Sequence, residues 1–399
     1  MKFLRYYITS ILCTFMLGNI NASGHDAEFM VAEEDTTVDI EVYPMIPEDV
    51  PRENISPEDD AEFLKMPWYK QLIVNGFKVH DPRINYPKFP RFCLKVYDWG
   101  DKTFNSYDPA YVVGSNKNWK IIGKNYNWME SYMMLFPDKQ RLHIRSDLYC
   151  DVGAYLNFMA VSVGYTAKLE NLLGKGSTTR SNFNFSFQTS LFTANIDLTK
   201  THGGAKIVRF GNLRRGEGLP FGFEDVTLSS LSGDAYYYFN HWKYSQAAAY
   251  CYSKYQLKSS GSAILGFAFN HQNIDLNFEG LPADIKEKLP SLQPRYHFKY
   301  TDYNLIGGYA YNWVPKPAVW LVNCTMLPSL GYKHAYAGST DGLPHMVSTN
   351  VRASFAVVYN HKALFVALQG KADLHFYFAK SYTFFNSIES YALNVGARF

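Results

Sequence analysis

Beyond its first two dozen residues the chain has no long uninterrupted apolar run, and this excludes a helical membrane protein. Cysteine is scarce. Cys93, Cys150, Cys251 and Cys324 are widely spaced with no CxxC pair, so neither a dense disulfide framework nor a zinc motif is present. Cys251 and Cys324 sit in strand-like runs and read as small buried hydrophobes. Charge of one sign is also lacking, with a net +3 over 399 residues, so nucleic acid is not implied as a partner. No GxSxG element occurs in a strand-turn-helix context. His143 and Ser146 share one strand-like run, but their odd spacing points them to opposite faces, and His375 has no serine close by in sequence. His271, His297 and His334, at loops or strand ends, read as interfacial or solvated. The chain reads as a non-enzyme, and no cofactor or metal is expected.

What is present begins with MKFLRYYITSILCTFMLGNINASG, where Lys2 and Arg5 precede an apolar run closing on small residues near Ala22 and Ser23. That is the layout of a cleaved secretory signal peptide, residues 1–23, too short to anchor in a bilayer. Leu12 is too bulky to precede a lipidated Cys13, which reads as part of the apolar run. Residues 24–62 are acidic, poor in aromatics and broken by Pro44, Pro47, Pro51 and Pro57, as in a flexible leader. In residues 63–90, Pro67 followed by Trp68, Leu72, Asn75 and Val79 at helical spacing predicts one short amphipathic helix.

From about Tyr126 the period becomes two. In ALFVALQGKADLHFYF, Leu364, Val366, Leu368, Gly370, Ala372, Leu374, Phe376 and Phe378 share one face, while Gln369, Lys371, Asp373 and His375 share the other. The run before it sets Val347 to Tyr359 against Ser348, Asn350, Arg352 and Ser354, and FNFSFQTSL sets Phe183, Phe185 and Phe187 against Asn184, Ser186 and Gln188. Soluble strands typically run about 5 to 6 residues, whereas a tilted membrane-crossing strand needs about 9 to 11, and these runs are long. Aromatics gather near their ends: Tyr236 to Phe239, Tyr309, Tyr311 and Trp313, Tyr359, and Phe376 to Phe378. An arginine or lysine facing lipid costs about 2 to 4 kcal/mol at mid-bilayer, so Arg352 and Lys371 fix the register and turn inward.

The predicted fold is therefore all-β, an antiparallel transmembrane β-barrel occupying residues 91–399 with a periplasmic lead-in segment. About twelve strands are expected, with ten or fourteen as alternatives, beginning near residues 126, 140, 153, 180, 223, 244, 261, 297, 317, 346, 362 and 383. The last strand carries Tyr391, Leu393, Val395 and Phe399 on one face, the pattern of a C-terminal barrel-assembly signal. Tight connections near Val314 to Lys316, Lys258 to Gly261 and Tyr359 to Lys362 would be periplasmic, and long ones near Glu279 to Gln293 and Tyr336 to His345 external. Residues 201–220 break this rule, being long where a short turn is due; either a hidden hairpin or a miscount explains them.

VYDWGDKTFNSYDPAYVVGSNKNWKI (96–121) and QLKSSGSAILGF (256–267) resemble recurrent segments of an uncharacterised family of Bacteroidetes outer-membrane proteins, domain of unknown function 4421. The resemblance spans roughly residue 90 to the end and implies an outer-membrane barrel, bringing no catalytic residue or ligand with it. Asp98, Asp101, Asn105 and Asp108 in the first segment offer oxygens that suit calcium, but their spacing matches no calcium loop and turn formation with Gly100 and Gly114 explains them better.

Two functions stay open. A pore for small polar solutes would be lined by Asp302, Asn304, Asn350, Arg352, Gln369, Lys371, Asp373 and His375; alternatively these groups satisfy one another in a closed lumen. A non-conducting structural or assembly protein would use the acidic leader and the pre-barrel residues 63–125 to bind a periplasmic protein partner. Either version has outer-membrane lipid and the barrel-assembly machinery as partners.

Overall fold

The computed structural model describes residues 57–75, 79–104, 106–115, 119–136, 141–146, 148–158, 161–169, 179–202, 205–210, 222–223, 226–280, 293–340, 343–378 and 382–399, with residues 117, 283 and 287. The signal-peptide stretch, the acidic stretch up to residue 56, Asn105, residues 203–204 and residues 211–221 lie outside the described residues.

Three helices come first: α1 (Pro57–Lys65), α2 (Trp68–Val74) and α3 (Lys88–Phe104). The expected amphipathic helix is α2, but shorter. Pro67 caps it, Asn75 ends it by returning its backbone N–H to Gln71, and Val79 is buried just beyond it. It packs on its own surroundings, Gln71 Nε2 donating to Phe63 O at 2.9 Å and Trp68 lying 5.8 Å from the Tyr86 ring. Helix α3 departs from the sequence reading. Asp98 and Asp101, expected in turns, are helical, whereas Asp108 does form a turn, its Oδ1 accepting from Ala110 N at 2.9 Å.

The strands are β1 (Val112–Gly114), β2 (Trp119–Leu135), β3 (Arg141–Ser146), β4 (Tyr149–Phe158), β5 (Val161–Lys168), β6 (Thr179–Gln188), β7 (Phe192–His202), β8 (Ala205–Phe210), β9 (Gly222–Phe223), β10 (Val226–Tyr238), β11 (Lys254–Gln256), β12 (Ser260–Asn277), β13 (Arg295–Lys316), β14 (Trp320–Ala335), β15 (His345–His361), β16 (Leu364–Phe378) and β17 (Thr383–Arg398). Twelve of them form a curled antiparallel wall in the order β6-β7-β10-β12-β13-β14-β15-β16-β17-β2-β4-β5. The last strand pairs with the first long one, from Thr383↔Leu135 to Arg398↔Lys120, the joint that a barrel needs. The two ends of the row, β5 and β6, follow one another in the chain. β3 continues the β4 position along β2, β8 lies beside β3, and β1 pairs with β11 as a separate ribbon.

The expected count of twelve holds through errors that cancel: the start near 140 belongs to β3, outside the twelve, and β5 goes unread. No strand starts near 244; residues 239–259 instead form an insert with the short helix α4 (Gln246–Tyr250) and β11, of which Lys258 is the tail and not a hairpin turn. β7 goes unread in the sequence, and its presence moves the connection containing 201–220 to the end of the wall that carries the other long connections. At the opposite end lie the short turns 189–191, 317–319 and 362–363 and the end of the β2–β17 joint, where Trp119 and Phe399 exchange backbone hydrogen bonds of 3.0 and 2.9 Å.

Outward positions are apolar. Leu364, Val366 and Leu368 on β16 and Leu305, Tyr309 and Trp313 on β13 are exposed, while their alternates face in. The girdle reading needs one correction: Tyr236, Tyr238 and Tyr377 turn inward and are buried, leaving Tyr237, Phe239 and Phe378 outside. Cys324 is likewise exposed on the outer face, and Cys251 follows α4 and lies on no strand.

Candidate functional site

The inward face is layered from one end of the wall to the other. At the end carrying the chain terminus, the 239–259 insert folds between the strands. Ser245 caps α4 by accepting from Ala248 N, and the buried Ala247, Ala248 and Ala249 let the helix sit close to the wall. Polar side chains of the wall then fix the insert: Asn312 Nδ2 donates to Ser245 O at 2.9 Å, and Tyr250 Oη lies 2.9 Å from Asn323 Oδ1 and 3.0 Å from Ser354 Oγ. Gln369 Nε2 donates to Tyr252 Oη at 2.6 Å. Arg398, 2% exposed, donates to Tyr252 O at 2.6 Å and to Asn360 Oδ1 at 2.7 Å. Tyr252, held from both sides, has the left-handed φ of 58°.

The middle layer is charged. Arg352 on β15 pairs with Asp373 directly across on β16 and with Lys371's partner carboxylate thereby shared, Lys371 Nζ lying 2.9 Å from Asp373 Oδ2. It also reaches Asp234 on β10 at 2.8 Å and hydrogen-bonds Tyr236. Since β10 and β15 stand four strands apart in the wall, this side chain spans the interior. Asp302 and Lys333, both fully buried, face each other at 3.4 Å; Ser348 and Asn350 donate to Asp302, and Lys333 Nζ donates to Phe376 O and lies 4.3 Å from the Tyr300 ring centre. The named pairs set three cations against three carboxylates. Between them remains a cavity of about 160 Å³, lined among others by Asn270, Asn304, Asn350, Lys371 and His375. His375 Nδ1, Asn304 Oδ1, Asn350 Oδ1 and Asn270 Nδ2 are buried at it with no protein partner among the described residues, which fits a hydrated chamber.

The third layer is apolar. Phe298, Tyr296, Tyr300, Phe384, Tyr382 and Tyr132 pack with Leu142, Ile144 and Ile207 across the inside of the far end. Phe298 and Phe384 stack at 4.3 Å between ring centres.

All eight predicted inward residues face the interior, but they divide. Arg352, Lys371, Asp373, His375, Asn304 and Asn350 surround the chamber, Asp302 is buried beside it, and Gln369 holds the insert. Sequence reading misses Asp234 and Lys333. Each had a signal, since Asp234 alternates with the outward Tyr237 and Lys333 with the outward Tyr332. Tyr391, Leu393, Val395 and Phe399 are all exposed on the outer face of β17. Ser146 and His143 do point to opposite faces. His143 Nε2 instead meets Ser131 Oγ at 2.6 Å on the outer face, yet no carboxylate bonds its other nitrogen among the described residues, so the orienting group of a catalytic triad is not in place.

A curled antiparallel wall of twelve strands, whose last strand pairs with its first long one around a filled interior, defines the class of protein as a β-barrel. Residues 106–399 match the family described as a domain of unknown function, DUF4421, and the chain belongs to that family. The match begins just after α3, later than residue 90. No curated protein matches the sequence. Among solved structures, the chain resembles the outer membrane protease OmpT from Escherichia coli at 8% identity, with 74% of this chain and 98% of that one covered and a TM-score of 0.32. It also resembles the P. putida toluene transporter TodX at 8% identity, covering 70% and 90%, TM-score 0.26. The translocator domain of the autotransporter NalP from Neisseria meningitidis matches at 9% identity, covering 77% and 95%, TM-score 0.28. The fold stands on the strand pairing of this chain and not on these likenesses.

Proposed function

We propose that the chain is exported by its N-terminal leader and inserted by the barrel-assembly machinery as an outer-membrane β-barrel, terminal end toward the periplasm. In this reading it is a non-conducting structural or assembly protein and not an open pore or an enzyme. What supports the membrane placement is the outer face. On β13 it is apolar or aromatic from Tyr303 to Trp313, with Lys299 and Lys316 beyond. Ten residue steps make about 33 Å along a strand, or about 25 Å at the usual tilt, the height of a lipid-facing band. A soluble protein would not leave so much apolar surface bare.

The observation that carries the closed reading is Arg352 reaching across the interior between a filled insert layer and a filled aromatic layer. A twelve-stranded barrel is wider than the eight-stranded kind that its own side chains fill, so without such layers it would hold water. The pre-barrel helices α1 and α2 are then the part that meets a periplasmic protein. Planar-bilayer recordings of purified, heat-modifiable protein should show no conductance at any voltage; stable open-channel steps would restore the pore.

A further inference from the structure

Helix α3 wears its apolar side outward. Phe89, Phe92 and Trp99 are 74%, 62% and 63% exposed, and Cys93 is exposed with them. At 3.6 residues per turn these four fall on one side of the helix. Pro90 and Leu94, on the flank away from them, are half-buried, as is Gly100, which has no side chain to present. A helix that packs its greasy side into its own domain would show the reverse. Lys88, Arg91, Lys95 and Lys102, all exposed, line a second flank next to Trp99, with the exposed Asp98 beside them. Arg91 also donates to Asn85 Oδ1 and Tyr86 O, which steadies the first turn, and Asp98 lies 3.6 Å from His80.

Aromatic rings beside a basic flank are the make-up of a helix lying in a lipid–water boundary, its rings about 5–10 Å into the headgroup and acyl region and its cations at the phosphates. Position selects this occupant over a protein. Directly after Phe104 the chain is fastened to the rim of the wall: Ser190 Oγ donates to Ser106 O at 3.4 Å and Asp108 N to Trp242 O at 2.8 Å. The same rim exposes Phe239, Trp242, Trp313, Trp320 and Phe399. The helix therefore leaves the wall at the height of the wall's own aromatic girdle, where the barrel itself would meet the interface. We propose that α3 is an interfacial anchor that lies on the phospholipid leaflet at the terminal end of the barrel, with Phe89, Phe92 and Trp99 among the acyl chains and the basic flank at the lipid phosphates.

The proposal rests on the outer-membrane reading, and one measurement separates the two. Full-length protein carrying Phe92→Trp is reconstituted into phosphatidylethanolamine–phosphatidylglycerol vesicles containing lipids brominated close to the headgroup, and its emission is compared with that of the parent. The added tryptophan should be quenched about twofold, as a side chain at the boundary would be. A Phe89→Asp, Phe92→Asp variant that keeps its heat-modifiable barrel should be cleaved by trypsin at Lys95 and Lys102 about tenfold faster, the loss expected when the buried apolar area is removed. An unquenched residue 92 beside quenched wall tryptophans Trp313 and Trp320 would overturn the anchor and leave the barrel standing, the result expected if a protein covers this face instead. If the wall tryptophans escape quenching too, the outer-membrane reading fails and the anchor with it.

Discussion

At the scale of single residues the interior is decided by charges that have no water to turn to. Arg352 serves Asp373 and Asp234 at once. Removing it by Arg352→Ala leaves two carboxylates in a confined space, and breaking a buried pair from one side costs about 3–5 kcal/mol. The urea midpoint of the barrel in lipid vesicles should fall accordingly, while Arg352→Ala combined with Asp373→Asn and Asp234→Asn should recover most of the loss. A steric case lies on the outer face. Gly370 stands directly across from Phe355, and a Cβ there would overlap the phenyl ring lying over it. Gly370→Val should destabilise by about 1–3 kcal/mol, with Phe355→Ala in the same chain removing the clash. In the pre-barrel region the hydrogen bonds of Arg83 hold the Asp81 carboxyl down to about 2. Because the folded value lies below the ordinary carboxylate value of about 4, this contribution is full above pH 4 and is lost as pH falls through 2. Limited proteolysis of residues 57–104 should stay slow down to about pH 4 and accelerate below it, and Asp81→Asn should make it fast at neutral pH.

At the scale of elements, the joint between β17 and β2 brings the last strand back beside the first long one. Gly123 pairs with Val395 across it, with room for a side chain at Gly123. In a background lacking the native cysteines, Gly123→Cys with Val395→Cys should form a crosslink only when folded, visible as a shifted band that survives boiling; a failure to crosslink in protein that is otherwise heat-modifiable would place the closure elsewhere. How far such elements were legible depended on which solvent a strand's two faces meet. β12 to β17 run long, alternate cleanly and show their registers, because an apolar outer row and a polar inner row impose opposite demands at every step. β7, FTANIDLTKTH, sets Phe192, Ala194, Ile196 and Leu198 against Thr193, Asn195, Asp197 and Thr199, but its apolar row gives way to Lys200 and His202, and that strand escapes notice. The insert misleads for the opposite reason: AAAYCYSKYQ is apolar because it is packed inside, which looks the same as facing lipid. The apolar third layer is hidden in the same way, since Tyr296, Phe298 and Tyr300 alternate as any wall residues do while pointing inward.

At the scale of the whole molecule, the two seals of the lumen differ in origin. The far one is made by wall strands themselves and cannot leave without unfolding them, whereas the near one is an insert of 239–259 held by side-chain hydrogen bonds from Asn312, Asn323, Gln369 and Arg398. Such bonds are worth about 1 kcal/mol each net, so the insert is the part that opens first, and opening it exposes the chamber at the terminal end without creating a path through the barrel. A reporter on the chamber wall tests this directly. Asn304, 2% exposed, faces the cavity. With the native cysteines replaced, Asn304→Cys should react with a small charged thiol reagent slowly in the intact protein. Adding Tyr250→Ala and Arg398→Ala, which removes two of the insert's tethers, should raise that rate by about tenfold or more, the factor that about 1.4 kcal/mol of lost tethering gives. Conductance should remain absent in the same variant, because the Phe298 and Phe384 layer still blocks the other side. A variant that both reacts and conducts would mean that the aromatic layer is no seal, and the lumen would have to be read as a channel gated by its insert.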